Sequence, residues 1–383
     1  MFKNISLVLL VSIITLKVAD FSFGLIQPRE SLSSSVNRAT TRSIVLREFN
    51  PNQNAMVTPS NRLVQQSDSL QQIPQKALID KNGFLDNGNP IETNPTIRII
   101  FFGGSTTENL FVPVKERFSS VVERSLRAKS DHRVVTHNAG VSGNNVMHSF
   151  LSFAAKGIPL KPNFVVLMHN VNDLSILSKT ESYWKAPSMR ALVAGDKRSL
   201  FANQDLSKGL FFYFFRSIKN ILFPNLYAYL WPRLFQGSIM NADEFTHFRG
   251  ELPDVNLSDA KIQFRSSLIS FVQLAKAWKI QPILMTQANR IDASDIVFQR
   301  LLETSPDIGM EPDIFESIYK DFNRIIREVA IQENIPLIDL DVLIQPSEKY
   351  LYDTVHFNAE GSMLAGKIIS DYFMGILSDE LDG

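Results

Sequence analysis

The chain has no cysteine. That excludes disulfides, thiolate-bound metal and a cysteine nucleophile. A free thiol is a liability in an oxidising compartment, so the absence suits export without fixing a location. The chain also lacks an excess of either charge, with 39 lysines and arginines against 39 aspartates and glutamates. This balance removes the electrostatic reason to expect a nucleic acid partner. His132, His137, His148 and His247 show no metal-ligand spacing with acidic neighbours, so no metal and no cofactor is expected. No internal repeat is visible. What is present is ordinary for a packed globule: 383 residues, 44% hydrophobic and 20% charged. That length suits one large domain or two modest ones.

The N-terminus opens with Lys3 and runs apolar from Ile5 to Leu16 before Lys17 ends it. The run is shorter than the ~20 residues of a membrane span and matches a signal-peptide core. Ser22-Phe23-Gly24 offers small residues where a signal peptidase would cut. An uncleaved anchor continuing through Val18, Phe21, Phe23, Leu25 and Ile26 competes with it. In that case Lys17 and Asp20 would pair on one helical face, although both are costly in hydrocarbon. Both readings export the chain, to a periplasmic or extracellular place, free or membrane-anchored. A cytoplasmic N-terminal helix is the third alternative.

Three regions follow: 1–26 as signal peptide or anchor, 27–90 as a poorly structured segment rich in Ser, Asn, Gln and Pro, and 91–383 as the main domain. In the domain, "IRIIFFG" (97–103), "HRVVTHN" (132–138), "NFVVLMHN" (163–170), "QPILMTQAN" (281–289) and "IPLIDLD" (335–341) read as strands. Most are continuous apolar runs, as expected for strands covered on both faces. Helical patterns over 117–130, 258–279, 312–334 and 359–377 alternate with them. The expectation is an α/β fold, a five-stranded parallel sheet in a three-layer α/β/α sandwich. An insert at about 176–257 breaks the rhythm and is too long for one crossover. It holds the aromatic stretch "LFFYFFRSIKNILFPNLYAYLWPRLF" (210–235). That stretch reads either as an inserted helical pair packed on the domain, or as a lid or membrane-facing surface.

Ligands of an open parallel sheet bind beyond the carboxyl ends of the strands. There the sequence places Gly103, Gly104 and Ser105; then Asn138, Gly140, Ser142 and Gly143; then His169, Asn170, Asn172 and Asp173. Asp353 and His356 stand before the last helix, in "YDTVHFNAEG". A hydroxyl, an imidazole, a carboxylate and several amides form the inventory of acyl transfer by a serine nucleophile. Ser105 follows two glycines and opens a helix, whose free N–H groups favour an oxyanion. His356 has the near-neutral pKa of a general base. Asp353, three residues earlier, is placed to hold the imidazole tautomer. Gly143 and Asn172 offer amides to a developing negative oxygen. Gly104, Asn138, His169 and Asn170 are candidate pocket residues, with His169 reading equally as a satisfied buried histidine. Glu108 suits the first helical turn after Ser105, and Asp173 suits a cap or turn. "GVSGNN" lacks the lysine of a phosphate-binding loop.

These four blocks, "FFGGSTTEN", "NAGVSGNN", "HNVNDL" and "DTVH", resemble the SGNH hydrolases, the GDSL-like esterase and lipase superfamily. The resemblance covers residues 97–175 and 281–377. It implies a flavodoxin-like sandwich, no metal, and hydrolysis of esters, with some members adding or removing acetyl groups on polysaccharides. It also implies Ser105, Asp353 and His356 as the catalytic set, and Ser105, Gly143 and Asn172 as the oxyanion hole. Two positions depart from the family pattern. Gly104 stands where the family has aspartate, and Asn170 where it has glycine, a change expected to narrow the pocket or add a donor. The expectation is an exported serine esterase acting on an acylated small molecule or cell-surface glycan. A polysaccharide O-acyltransferase and a non-catalytic glycan-binding module remain as alternatives.

Overall fold

A computed structural model describes residues 11–22, 43–44, 46–185, 192–194, 257–292, 294–304 and 311–379. The chain divides into two compact units, Met1–Ile44 with Val193–His247, and Val45–Leu192 with Phe248–Gly383. In the first, residues 11–22 are helical and Ser43–Ile44 pairs antiparallel with Val193–Ala194. No described helix is long and apolar enough to cross a membrane. The aromatic stretch 210–235 lies outside the described residues.

The second unit is built on a five-stranded sheet: β1 (Ile97–Gly103), β2 (Val134–Gly140), β3 (Phe164–Met168), β4 (Gln281–Met285) and β5 (Leu337–Ile338). The spatial order is β2-β1-β3-β4-β5, every pair parallel. Alternate side chains of a strand face opposite layers, and the two cores follow that period. Ile100, Phe102, Val165, Leu167 and Leu284 join one core; Ile99, Phe101, Val166, Met168 and Ile283 join the other. Over the first face lie α3 (Val146–Ser152), α4 (Val171–Thr180), α5 (Leu257–Ala277) and α6 (Pro312–Gln332). Over the second lie α2 (Phe118–Lys129) and α7 (Ala359–Asp379). The result is the expected three-layer α/β/α sandwich. Phe102 meets Phe153 and Phe271 with ring centroids 5.6 and 5.7 Å apart. Each such ring stabilises the fold by about 1.5–3 kcal/mol through burial.

Residues 46–90 correct the expectation of a poorly structured segment. Asn54–Val57 pairs antiparallel with Gln75–Leu78. Ser60 caps a short helix, Asn61–Gln65, and Ala77, Ile79 and Leu85 form a small core with Phe49, Val57 and Leu110. Arg117, 1% exposed, donates from Nη2 to Lys76 O at 2.7 Å and from Nε to Val112 O at 3.1 Å. Backbone pairing and one buried arginine thus order a stretch whose composition reads as loose. The start of the insert is also corrected. Ile176, Leu177 and Tyr183 sit in the core, on α4 and the turn after it.

Candidate active site

The β1 strand ends at Gly103, and Ser105 is the first residue of a single helical turn, α1 (Ser105–Glu108). The loop before α7 brings up the partners. His356 Nε2 lies 2.7 Å from Ser105 Oγ, and His356 Nδ1 lies 2.7 Å from Asp353 Oδ2. Asp353 Oδ1 accepts the N–H groups of Val355 (2.9 Å) and His356 (2.8 Å), so the carboxylate is fixed before it meets the ring. Arg290 braces the loop, donating from Nε to Asp353 O at 3.0 Å and from its backbone N–H to Thr354 O at 2.8 Å. The Tyr352 ring stacks on His356 at 5.5 Å and 5°.

Electrostatics follow from this packing. Burial pushes His356 down, but the adjoining Asp353 carboxylate and the Glu108 charge outweigh it, and its pKa rises above the ordinary 6.5. Burial pushes Asp353 up, yet His356 and the two backbone N–H groups hold it below the usual carboxylate range. A carboxylate on Nδ1 puts the neutral ring's proton there and leaves the Nε2 lone pair facing Ser105 Oγ.

Amide groups lie beside the Gly104–Ser105 turn. The Ser105 N–H is the first of a helix and has no intrahelical acceptor. The Gly143 N–H has no partner among the described residues. Gly143 holds φ +77°, the left-handed region that glycine enters freely. Asn172 Nδ2 donates to Asn144 O at 2.8 Å, which joins the third block to the second. Gly104 makes room for it: a β-carbon there would overlap Asn172 Nδ2 and come within 3.2 Å of Asn144 O.

The remaining candidates separate. Asn138 is not a pocket residue. It is buried, with Nδ2 donating to Thr107 O at 2.9 Å and Oδ1 accepting Gly140 N–H at 3.0 Å. His169 is buried too. Its Nε2 lies 2.7 Å from Ser149 Oγ, and burial, helped by His148, pushes its pKa down to about 3, so it stays neutral. Asn170 points away from the site, donating from Nδ2 to Tyr319 O (3.0 Å) and Asn323 Oδ1 (2.9 Å) on α6. It therefore does not narrow the pocket. Polar residues at strand ends satisfy buried groups as readily as they line clefts. Asp173 accepts Val146 N–H at 2.9 Å and the Tyr183 hydroxyl at 2.6 Å, pinning the start of α3. Glu108 is 3% exposed and accepts the Ser142 hydroxyl. Burial raises its pKa, against Ser142, His356 and Arg117. Tyr352, on the face of His356, escaped the sequence reading; its only signal is its place beside Asp353.

No protein-family model matches the sequence, and no curated protein does. Among solved structures, the chain is similar to a lipase/acylhydrolase from Enterococcus faecalis at 17% identity and a TM-score of 0.41, over 73% of this chain and 96% of that one. It is likewise similar to Axe2, an acetylxylan esterase from Geobacillus stearothermophilus, at 15% identity and a TM-score of 0.40, over 73% and 94%. At these scores the likeness carries no argument for an activity, which rests on the geometry of Ser105, His356 and Asp353. The sheet order β2-β1-β3-β4-β5 is the flavodoxin-like order that the sequence leads one to expect, and Ser105, His356 and Asp353 meet at its carboxyl edge.

Proposed function

We propose that the chain is a serine esterase of the SGNH type. The carrying observation is the unbroken chain Ser105 Oγ–His356 Nε2–Asp353, 2.7 Å at each link, beside unpaired N–H groups at the carboxyl ends of the strands. In this reading Ser105 Oγ attacks the acyl carbonyl carbon and its proton passes to His356 Nε2. Asp353 keeps the imidazole tautomer and stabilises the imidazolium. The Ser105 and Gly143 N–H groups and Asn172 Nδ2 hold the oxyanion. The tetrahedral species expels the alcohol, which takes the proton from His356, and leaves an acyl group on Ser105. Water then attacks with His356 again as base.

An acylated cell-surface glycan is the substrate we favour. Export, read from the apolar N-terminal run, supports it. With a sugar hydroxyl in place of water, the same intermediate yields an O-acyltransferase.

The test is hydrolysis of p-nitrophenyl acetate and butyrate by the wild type beside Ser105→Ala, with fluorophosphonate labelling of Ser105. Turnover and labelling lost in the variant are the expected result. Folded wild-type protein that neither turns over nor labels would overturn the reading and favour a binding module. Labelling without turnover, restored by adding a glycan acceptor, would make it a transferase.

A further inference from the structure

The Gly143 N–H belongs to the same planar peptide as the Ser142 carbonyl. In a trans peptide the two point in opposite directions, so fixing one aims the other. That peptide is the centre of a tight turn, Val141–Asn144, closed by Asn144 N–H to Val141 O at 3.0 Å. Gly143 has φ +77° while Ser142 is outside the positive-φ residues, which defines a type II turn. Rotating the central peptide by about half a turn converts type II to type I and moves the glycine φ to about −90°. Glycine accepts both values. Nothing in the turn's own sequence therefore fixes which way its N–H points.

Arg47 supplies what the turn lacks. Its Nη2 donates to Ser142 O at 2.9 Å, and its backbone O accepts Asn144 Nδ2 at 3.2 Å. The contact is reciprocal and spans 95 residues of sequence. Glu108 holds the Ser142 hydroxyl from the other side, and Asn172 holds Asn144 O. We propose that Arg47 is a positioning residue for the oxyanion hole, locking the Ser142–Gly143 peptide in the orientation that presents the Gly143 N–H to the substrate. A cationic donor on the carbonyl also polarises the peptide and strengthens its N–H as a donor. The role rests on the esterase reading of Gly143. It gives the segment around residue 47 a part in catalysis without any contact to substrate.

The test compares full-length wild type, Arg47→Ala, Arg47→Lys and Arg47→Met on p-nitrophenyl acetate, with active sites counted by fluorophosphonate titration and Tm measured in parallel. Loss of a whole oxyanion donor lowers kcat by about 10²–10³. A misaimed donor should lower it by about 10–100-fold, with KM within about twofold. Arg47→Lys, still a cationic donor, should recover part of the loss, while Arg47→Met, which keeps the aliphatic stem, should not. Wild-type kcat per titrated site in Arg47→Ala overturns the proposal, and a lowered Tm alone would leave Arg47 a merely structural residue. Should Arg47→Ala not fold, the Lys and Met variants decide, and equal kcat in the two overturns it. A wild type that neither turns over nor labels removes the esterase reading and this proposal together; an active wild type with an indifferent Arg47 removes only this one.

Discussion

Adding one methyl group at Gly104 separates the stability of the site from its activity. The backbone there is extended, at φ −92° and ψ −151°, so its dihedral angles alone do not demand glycine. Replacing glycine at such a position stabilises by about 0.4–1 kcal/mol through the unfolded chain. Against this stands the overlap of the new β-carbon with Asn172 Nδ2. The amide escapes by rotating, which breaks its 2.8 Å bond to Asn144 O, a loss of about 0.5–1.5 kcal/mol. The two effects nearly cancel, and Gly104→Ala should keep its stability within about 1 kcal/mol. Activity has no such compensation. In the proposed reaction, rotation takes Asn172 away from the oxyanion, and one lost donor costs about 10²–10³ in kcat, or ≈ 2.7–4 kcal/mol of transition-state stabilisation. The assay is kcat per titrated active site on p-nitrophenyl acetate, with Tm alongside. Because both changes act on the same amide, Gly104→Ala combined with Asn172→Ala should be no slower than Asn172→Ala alone. Wild-type kcat in Gly104→Ala, or additive losses in the double variant, would refute the placement of Asn172.

Two further outcomes follow from neighbouring contacts. His356 must be neutral to accept the Ser105 proton, so kcat/KM should rise with pH through a His356 pKa above 6.5. The Glu108 charge contributes to that raised value, so Glu108→Gln should move the acid limb to lower pH; a pH–rate profile with an unmoved limb would show that Glu108 does not act on His356. Asn170→Gly removes two buried hydrogen bonds to α6, a loss of about 1–3 kcal/mol seen in Tm. The same variant should leave the butyrate-to-acetate ratio unchanged, and a changed ratio at unchanged Tm would return Asn170 to the pocket.

Much of this was legible because its causes are local in sequence. Four continuous apolar positions, Ile99 to Phe102, are fully buried since both sheet faces are covered, and such runs are readable at a glance. The Asp353–His356 pair is readable because three residues of turn bring a carboxylate to its imidazole. β5 is only two residues long because a helical turn, Leu340–Leu343, starts just after it with Asp339 as its N-cap, and Arg327 on α6 meets Asp339 at 2.7 Å, a pairing no strand propensity records. The pocket readings of Asn138, His169 and Asn170 fail for a common reason, while the alternative of a satisfied buried His169 holds. Each stands at a strand end in sequence, but its side chain turns inward to a partner on another element. Nothing local distinguishes that direction from the cleft. Residues 46–90 were misjudged because composition weighs side chains, while backbone pairing and the carbonyls that Arg117 binds order the segment.

The two positions that depart from the pattern the sequence resembles also acquire a physical reading. At Gly104 the space a β-carbon would take is filled by the Asn172 amide, which the proposed reaction uses as an oxyanion donor. At Asn170 the added side chain leaves the site altogether and ties α4's start to α6 through Tyr319 and Asn323. One position leaves room for the Asn172 amide, and the other adds hydrogen bonds in the core. Neither alters Ser105, His356 or Asp353, whose 2.7 Å links stay intact. The contacts that aim the donors, Arg47 to Ser142 and Asn172 to Asn144, lie between the sequence blocks instead of within them.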